Sequence, residues 1–347
     1  MTAVEFDNVS IVFGDDPQSA LPLMDKGQTR SEVQQATDQV LGVHNCSLSV
    51  AEGEILVLMG LSGSGKSTLL RAVNGLNPVV RGAVRVLDKD RLVDVTNADP
   101  QTLRHVRLSL VSMVFQQFGL LPWRSVRDNV GLGLELGGQS KAERHAKVDE
   151  QLAVVGLSDW ADRMVGELSG GMQQRVGLAR AFATGAPILL MDEPYSALDP
   201  LIRTRLQDEL IELQEKFKCT IIFVSHDLDE AFKIGDRIAI MEGGRIVQCG
   251  TPREIFTAPA NDYVADFVAH MNPLGVLTAE DVMTPATANS VGEIDAATKV
   301  REVMAALKSV TGPLAVVKDG ATIGQVSSDS VLTSLGDPRG AAATAAE

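Results

Sequence analysis

An apolar run of strand length, Ile55-Leu56-Val57-Leu58-Met59, leads directly into the octapeptide Gly60-Leu61-Ser62-Gly63-Ser64-Gly65-Lys66-Ser67. An apolar run without alternation is typical of a central strand in a parallel sheet. The octapeptide fits GxxxxGK[ST], whose glycines let successive backbone N–H groups point at phosphate oxygens, while the following helix N-terminus adds positive potential. Strand, loop and a helix from about Thr68 predict an α/β fold with a nucleotide phosphate site.

The loop pattern assigns roles to single residues. Lys66 should reach the β- and γ-phosphates of a nucleotide, and the Ser67 hydroxyl should hold Mg²⁺. The residues expected around the phosphates are Gly60, Ser62, Gly63, Ser64, Gly65, Lys66, Ser67 and Thr68.

The composition restricts the class of protein to which the chain can belong. At 347 residues the chain can hold two domains, or one large domain with an appendage. Its 45% hydrophobic and 22% charged residues are ordinary for a globular protein. The net charge of −14 argues against nucleic acid as a partner, because phosphate backbones are bound by basic surfaces. The three cysteines contain no CxxC, which predicts no disulfide framework or zinc site and favours a reducing compartment.

The sequence also bears on location. The first residues, Met-Thr-Ala-Val-Glu-Phe-Asp, lack the basic start and apolar core of a signal peptide. No apolar run approaches the roughly 18–20 residues that a membrane helix needs. We therefore expect a cytosolic protein, which at a membrane would dock onto the helices of another polypeptide.

A second apolar run, residues 188–191, ends in the acidic pair Asp192-Glu193. A carboxylate at the end of a neighbouring strand can hold the hydrated Mg²⁺, which is the role expected of Asp192. Because successive strand residues alternate faces, Glu193 should point elsewhere, where it can polarise an attacking water. The pair adds hydrolysis to nucleotide binding.

Other segments carry patterns of regular structure. Residues 14–42 are polar and punctuated by Gly and Pro, which predicts a surface excursion with one short helix. Leu206, Leu210, Leu213 and Phe217 recur at helical spacing and predict a core-facing helix. The further predicted strands are residues 4–13, 43–50, 220–224, 237–241 and 245–249, the last two as a hairpin.

The segment Leu168-Ser169-Gly170-Gly171-Met172-Gln173-Gln174-Arg175 resembles the signature motif of ATP-binding cassette (ABC) proteins. Around it, Gln116 resembles the Q-loop glutamine of the family, Ser196-Ala197-Leu198-Asp199 its D-loop, and His226 its switch histidine. Over residues 1–271 the resemblance implies a P-loop NTPase fold, the ABC nucleotide-binding domain. It combines a RecA-like core, an antiparallel β subdomain and a helical subdomain at about 120–185.

The resemblance implies ATP hydrolysis at this site. Catalytic roles fall to Lys66, Gln116, Glu193 and His226, and Mg²⁺ would be held by Ser67, Gln116 and Asp192. Phe13 lies where the family stacks an aromatic ring on adenine. It fits a buried strand residue equally well, so both interpretations stand.

The signature implies a homodimer. A helix that opens with Ser169, Gly170 and Gly171 offers an anion-binding N-terminus. In the family this segment, with Gln173, closes over the nucleotide of a second copy and not over its own phosphate loop. Asp199 is the aspartate of the segment that resembles the D-loop. Two chains would thus hold two ATP molecules head to tail.

Several passages resemble one branch of the family, the ATPase subunits of bacterial importers for glycine betaine, proline betaine or choline. They are residues 59–66, 196–203 and 225–231, and the insert at 14–42 is a further feature of that branch. The resemblance implies a peripheral subunit at the cytoplasmic face of the plasma membrane. Its partners would be integral-membrane permease subunits and, indirectly, a periplasmic or extracellular solute-binding protein.

Other functions remain open at this point. An importer ATPase for another small solute fits the same motifs. A soluble ABC ATPase acting on ribosomes or DNA is disfavoured by the acidic charge and the single cassette.

Residues 280–335 resemble a single cystathionine-β-synthase (CBS) motif, an α/β segment that follows a linker at 272–279 and precedes a disordered tail at 336–347. Related importers carry such motifs in tandem. A lone motif either pairs with its twin in the dimer or is a degenerate remnant. A chain that acts mainly as a nucleotide sensor through this segment is a third possibility.

The two remaining features of the sequence are an apolar loop and four isolated histidines. The loop from Gln116 to Trp123 is apolar and aromatic, which fits a satellite of the core, a groove for a helix of the membrane subunit, or both. Four histidines without ligand spacing are expected to be ordinary surface or interface residues: His44, His105, His145 and His270.

Overall fold

The computed structural model describes residues 1–117, 119–196, 198–269, 271–287 and 289–336. The chain separates into two compact units. The first comprises Met1–His226 with Ala239–Val247, and the second comprises Asp227–Ile238 with the chain from Gln248 onward. Within the described residues, no helix is both long and apolar enough to cross a bilayer.

The strands are numbered in chain order. They are β1 (Thr2–Phe13), β2 (Val40–Ala51), β3 (Ile55–Met59), β4 (Arg81–Asp88), β5 (Arg91–Asp94), β6 (Val111–Val114), β7 (Ile188–Asp192), β8 (Thr220–Val224), β9 (Arg237–Glu242), β10 (Arg245–Gly250), β11 (Glu293–Asp295), β12 (Leu314–Lys318) and β13 (Ala321–Val326).

The α-helices are numbered in the same way. They are α1 (Leu21–Asp25), α2 (Arg30–Thr37), α3 (Lys66–Leu70), α4 (Pro100–His105), α5 (Val126–Val130), α6 (Leu132–Leu136), α7 (Lys141–Val154), α8 (Gly170–Ala183), α9 (Pro200–Phe217), α10 (Leu228–Ile234), α11 (Pro252–Thr257), α12 (Asp262–Val268), α13 (Ala279–Val282), α14 (Val300–Leu307) and α15 (Ser328–Gly336).

The six-stranded sheet has the order β10-β9-β3-β8-β7-β6, and its strands β3, β8, β7 and β6 are parallel. Strands β3, β7 and β8 are buried along their whole length, which explains their unbroken apolar sequences. The prediction of a central parallel strand at β3 is confirmed. Because Leu58 and Asp192 both pair with Val224, the segments that follow these strands meet at one edge of the sheet.

A four-stranded antiparallel sheet of order β2-β1-β4-β5 accompanies it. The insert lies between β1 and β2. It contains a 3-10 turn at Pro17–Ala20 and the helices α1 and α2, so the prediction of one short helix is wrong. Helix α2 begins with a full capping box, in which Thr29 and Glu32 satisfy each other's backbone N–H groups.

Helices α5 to α8 form the predicted helical region around a core of their own, made by buried residues such as Val130, Leu152 and Val176. Helix α9 buries Leu206, Leu210 and Leu213, as their spacing predicted. Phe217 is 37% exposed and stacks on Phe182, with ring centroids 5.1 Å apart.

The second unit holds the sheet β11-β12-β13 with helices α13, α14 and α15 nearby in sequence. Within it, the two oxygens of the buried Asp281 carboxylate share the single N–H of Arg253 Nε, at 2.8 and 3.0 Å, and Asp281 also accepts from the backbone N–H of Thr278 at 2.9 Å. The segment predicted as a linker contains the 3-10 turn Pro273–Gly275 and the buried Leu277. The predicted tail lies, from residue 337, outside the described residues, as do Ala197 and His270. The domain boundaries remain a prediction.

Candidate functional site

The phosphate loop has the backbone that its glycines require. Gly60, Gly63 and Gly65 have φ values of +140°, +77° and +103°, a region that L-residues rarely adopt. A Cβ atom at Gly60 would lie 2.1 Å from the carbonyl oxygen of Met241. The loop runs from β3 into α3, which is the strand–loop–helix context that the motif needs.

Lys66 folds back over this loop. Its Nζ donates hydrogen bonds to the carbonyl oxygens of Gly60 (2.8 Å) and Leu61 (3.1 Å). The side chain is buried, and burial lowers the pKa of Lys66, against the opposing effects of Glu193 and Asp192. The ammonium therefore lies at the loop that would receive phosphates.

Asp192 is the last residue of β7, and its two carboxylate oxygens accept hydrogen bonds from different residues. Ser67 Oγ donates to Oδ1 at 2.6 Å, and Arg71 donates to Oδ2 from Nε at 3.1 Å and from Nη2 at 2.8 Å. Asp192 is only 2% exposed, so Arg71 compensates an otherwise costly buried charge. The structure thus brings Ser67 and Asp192 together, as expected for a shared Mg²⁺ site.

The donor chemistry of this pair fits Mg²⁺, a hard cation that prefers hydroxyl, carboxylate and water oxygens. Gln116, the third expected ligand, donates from Nε2 to Glu193 Oε2 at 3.2 Å, which leaves its amide oxygen as the atom that could face a cation.

Glu193 points away from Asp192, although strand alternation is not the reason. Strand β7 ends at Asp192, and Glu193 has a φ of +46°, so the chain turns at this residue. Its Oε2 lies 3.2 Å from Gln116 Nε2 and 3.4 Å from His226 Nδ1. Gln116 and His226, which are far apart in sequence, thus converge on one carboxylate oxygen of Glu193. The side chain of His226 is 56% exposed and can reach a bound molecule.

A cavity of about 260 Å³ lies beside these groups. Its lining includes Phe13, Arg30, Gly42, Glu193 and, from the phosphate loop and the start of α3, residues 62, 63 and 65–68. Phe13 is 38% exposed there, so its interpretation as a buried strand residue is wrong. Stacking on adenine stays a prediction.

The signature segment does not line this cavity, in keeping with the expectation that it serves another copy. Ser169 caps α8 by accepting a hydrogen bond from Met172 N at 3.4 Å. A Cβ atom at Gly171 would lie 3.0 Å from the Ile202 side chain. Gln173 fixes the entry of the helix by donating to Leu168 O at 3.1 Å, and Asp199 caps α9 through Ile202 N at 3.0 Å.

The loop after Gln116 contributes to the core of the helical region, and its role as a groove for a membrane subunit stays a prediction. Leu120 packs against the core of the helical region, whereas Trp123 is 71% exposed. An exposed indole on a surface loop is typical of a contact site for a partner.

One histidine was assigned wrongly. His44 is 5% exposed, and its Nε2 lies 3.0 Å from Asp25 Oδ1 and 3.1 Å from Arg81 Nη2. The insert helices cover the strand at this point, so His44 is an internal residue and not a surface residue.

Two arginines at the site were missed by the sequence patterns. Arg71 directly follows α3 and holds Asp192, and Arg30 opens α2 in the insert and lines the cavity. Neither belongs to a motif. For Arg71 the only available signal was its place one helical turn beyond Ser67, on the same face of the helix.

Comparison with known proteins identifies the family of the chain. Residues 43–196 match the family model for the ABC transporter. The glycine betaine/proline betaine transport system ATP-binding protein ProV of Salmonella typhimurium is 50% identical over 279 residues, which are 80% of this chain and 69% of ProV. The trimethylamine N-oxide transport system ATP-binding protein TmoW of Ruegeria pomeroyi is 41% identical over 332 residues, which are 94% of this chain and 95% of TmoW.

A solved structure gives the same result for the fold. The dimeric ATP-binding cassette MJ0796, in a post-hydrolysis state bound to ADP and Pi, is 30% identical. It covers 72% of this chain and 99% of its own, with a TM-score of 0.60. Together with the geometry of the phosphate loop and the acidic pair, these similarities show that the chain belongs to the ABC transporter family, as an ATP-binding subunit.

Proposed function

We propose that the chain is the ATP-hydrolysing, energy-coupling subunit of a bacterial importer for quaternary ammonium compounds. In this proposal it works as a head-to-tail homodimer on permease subunits at the cytoplasmic face of the plasma membrane. The observation that carries the proposal is the convergence of Ser67, Asp192, Glu193, Gln116 and His226 beside the phosphate loop.

The chemistry follows from these positions. Lys66 exchanges the carbonyl oxygens of Gly60 and Leu61 for β- and γ-phosphate oxygens, and the N–H groups of the loop bind the remaining phosphate oxygens. Glu193 polarises the attacking water, while Gln116 and His226 orient its carboxylate and lie next to the expected γ-phosphate.

The metal site is part of this proposal. Ser67, Asp192 and Gln116 would hold Mg²⁺, which when bound offsets the charge of the β- and γ-phosphate oxygens. Arg71 keeps one oxygen of Asp192 occupied and thereby directs the other toward Ser67.

Coupling to a permease is assigned to the loop that begins at Gln116. Gln116 contacts the catalytic carboxylate, and Trp123 in the same loop is exposed. A change at the γ-phosphate can therefore move a surface that grips a membrane subunit.

The class of transported solute is inferred from sequence similarity to relatives. The relatives ProV and TmoW serve transport systems for glycine betaine or proline betaine and for trimethylamine N-oxide, respectively. These solutes share a methylated nitrogen. The alignment with TmoW over nearly the whole chain makes trimethylamine N-oxide a second candidate, beside choline and the betaines.

Solute uptake tests the proposal. Cells that carry the chain with its neighbouring permease are given labelled choline, glycine betaine, trimethylamine N-oxide and a polyamine side by side, with Lys66→Ala as the control. We expect uptake of at least one methylated amine, abolished by Lys66→Ala. Polyamine uptake alone would contradict the solute class, and co-purification with ribosomes or DNA without a membrane partner would favour the soluble alternative.

The C-terminal segment is proposed to be a regulatory α/β element that resembles one CBS motif. Its three-stranded sheet and helices α13 to α15 support this. Deletion of residues 277–347 should leave basal ATPase activity intact and alter the response of transport to salt. An unchanged salt response would contradict a regulatory role.

A further inference from the structure

The insert between β1 and β2 is a fixed part of the first unit. Its buried residues Ala20, Met24 and Val33 pack against Val12 and Leu41 of the flanking strands. Polar contacts hold it as well: Arg245 donates to the carbonyl oxygen of Met24 at 3.2 Å, and Gln39 accepts from the backbone of Asp16 at 3.1 Å. The position of α2 is therefore set by packing.

Arg30 is the first residue of α2, and its side chain extends to the phosphate loop. Its Nη1 donates to the carbonyl oxygen of Gly63, and its Nη2 donates to that of Gly42 at 3.0 Å. A Cβ atom at Gly63 would lie 3.4 Å from this guanidinium. Arg30 lines the same cavity as Phe13, Lys66 and Ser67.

The charge of Arg30 is uncompensated. Within the described part of the chain it has no carboxylate partner, and no atom accepts a hydrogen bond from its buried Nε. Burial lowers the pKa of Arg30, although a guanidinium stays charged at any physiological pH. Two neutral carbonyl oxygens are weak partners for a guanidinium, whose fork of N–H groups matches phosphate oxygens.

We propose that Arg30 is a nucleotide-contacting residue, supplied by the insert, whose guanidinium binds phosphate oxygens of ATP alongside Lys66. This inference rests on the proposed ATP site. It gives the insert a role at the site that no sequence motif assigns to it. The bound nucleotide offers anionic acceptors to Arg30, which has no carboxylate partner among the described residues, so Arg30 should favour nucleotides with more phosphate groups.

The alternative is that Arg30 only anchors the insert through Gly63 and Gly42. Loss of an anchor would change the shape of the pocket and would therefore weaken the binding of adenosine as well as that of the phosphorylated ligands. The number of phosphate groups on the ligand therefore separates the two roles.

The test is equilibrium binding to the full chain with Mg²⁺, by displacement of a fluorescent nucleotide. The ligands are AMP-PNP, a non-hydrolysable ATP analogue, together with ADP and adenosine. The variants are Arg30→Gln and Arg30→Lys. Lys26→Gln is the matched control, since it removes one positive charge from an exposed position of the same insert. The melting temperature without nucleotide is measured for each variant.

We expect Arg30→Gln to bind AMP-PNP at least about tenfold more weakly, the loss typical of one charge-assisted hydrogen bond. ADP should be affected less, and adenosine not at all. Arg30→Lys should recover part of the affinity, because it keeps the charge without the fork. Lys26→Gln should bind all three ligands like the unmodified chain.

Equal affinity of Arg30→Gln and the unmodified chain for AMP-PNP would overturn the inference. So would equal weakening for AMP-PNP and adenosine, the result expected of an anchor. If Arg30→Gln does not fold, Arg30→Lys decides, since equal weakening of AMP-PNP and adenosine binding in that variant would overturn the inference. An unmodified chain that binds no AMP-PNP would instead refute the proposed function itself.

Discussion

Asp192 and Glu193 are chemically similar neighbours with different surroundings. Asp192 is enclosed by Ser67 and Arg71, so its charge is balanced and its orientation is fixed. Glu193 contacts the amide of Gln116 and the exposed ring of His226, and its side chain is 21% exposed. One carboxylate is suited to holding a cation and the other to accepting a proton from water.

The variant Arg71→Gln tests how much Asp192 depends on the guanidinium of Arg71. The change leaves a buried carboxylate with only the Ser67 hydroxyl, so we expect a loss of about 1–3 kcal/mol in the free energy of unfolding. Urea unfolding without nucleotide measures it. The control is Arg85→Gln, which breaks a surface pair with Glu5 at 2.8 Å and should cost less than about 1 kcal/mol. Equal losses would show that Arg71 is an ordinary surface cation.

Glu193→Gln tests the assignment of the general base. The amide keeps the shape of the side chain and cannot take a proton, so ATPase activity should fall roughly 10²–10⁴-fold. ATP binding should be retained, which equilibrium binding can check. A variant with normal turnover would show that Glu193 is not the base.

At the scale of elements, the insert and the strand β2 depend on each other through Asp25, His44 and Arg81. Arg81 donates to Asp25 at 2.9 and 2.7 Å, and this contact, followed by that of His44, lowers the pKa of Asp25 well below 3.8. Burial lowers the pKa of His44 below 6.5, partly opposed by Asp25. Nδ1 of His44 is buried without a partner in the described residues, so an imidazolium would leave an N–H group unpaired.

This arrangement predicts that the stability of the folded chain depends on pH. Because the pKa of His44 is depressed in the folded chain, the unfolded chain binds more protons as the pH falls below 6.5. The contribution of neutral His44 to the stability of the fold is therefore fully present above that pH. It is lost as the pH falls toward the pKa that His44 has in the folded chain, while Asp25 stays charged. The melting temperature should drop more between pH 7.5 and 5.5 in the unmodified chain than in His44→Gln. His105→Gln, at an exposed pair with Asp88, should behave like the unmodified chain.

The elements also show how far the sequence predicts the structure. Strands β3, β7 and β8 follow from their apolar runs, and the phosphate loop follows from its glycines, because burial and backbone conformation are local requirements. The insert was only partly predicted, since its polar composition conceals the few residues, such as Met24 and Val33, that form its core. Arg30, Arg71 and the burial of His44 depend on contacts between distant segments, which no local pattern records.

At the scale of the whole molecule, the proposed head-to-tail dimer bears on the composition of each site. The nucleotide cavity is lined by the phosphate loop, Phe13 and Glu193, while Ser169 opens the 14-residue helix α8 elsewhere on the chain. The N-terminus of a helix of this length can bind an anion. If each signature serves the phosphate loop of the partner, every functional site contains residues from two chains.

This arrangement predicts complementation between two inactive variants. Lys66→Ala damages the phosphate loop, and Ser169→Arg damages the signature, so neither homodimer should hydrolyse ATP. In a mixed dimer, one site combines both damaged parts and the other combines the intact phosphate loop of one chain with the intact signature of its partner. Mixing the two variants should therefore restore ATPase activity that neither has alone. A mixture of Lys66→Ala with the double variant is the control, since it contains no intact site. If the mixture of single variants stays inactive while each folds and dimerises normally, the signature acts within its own chain, and the head-to-tail arrangement is wrong.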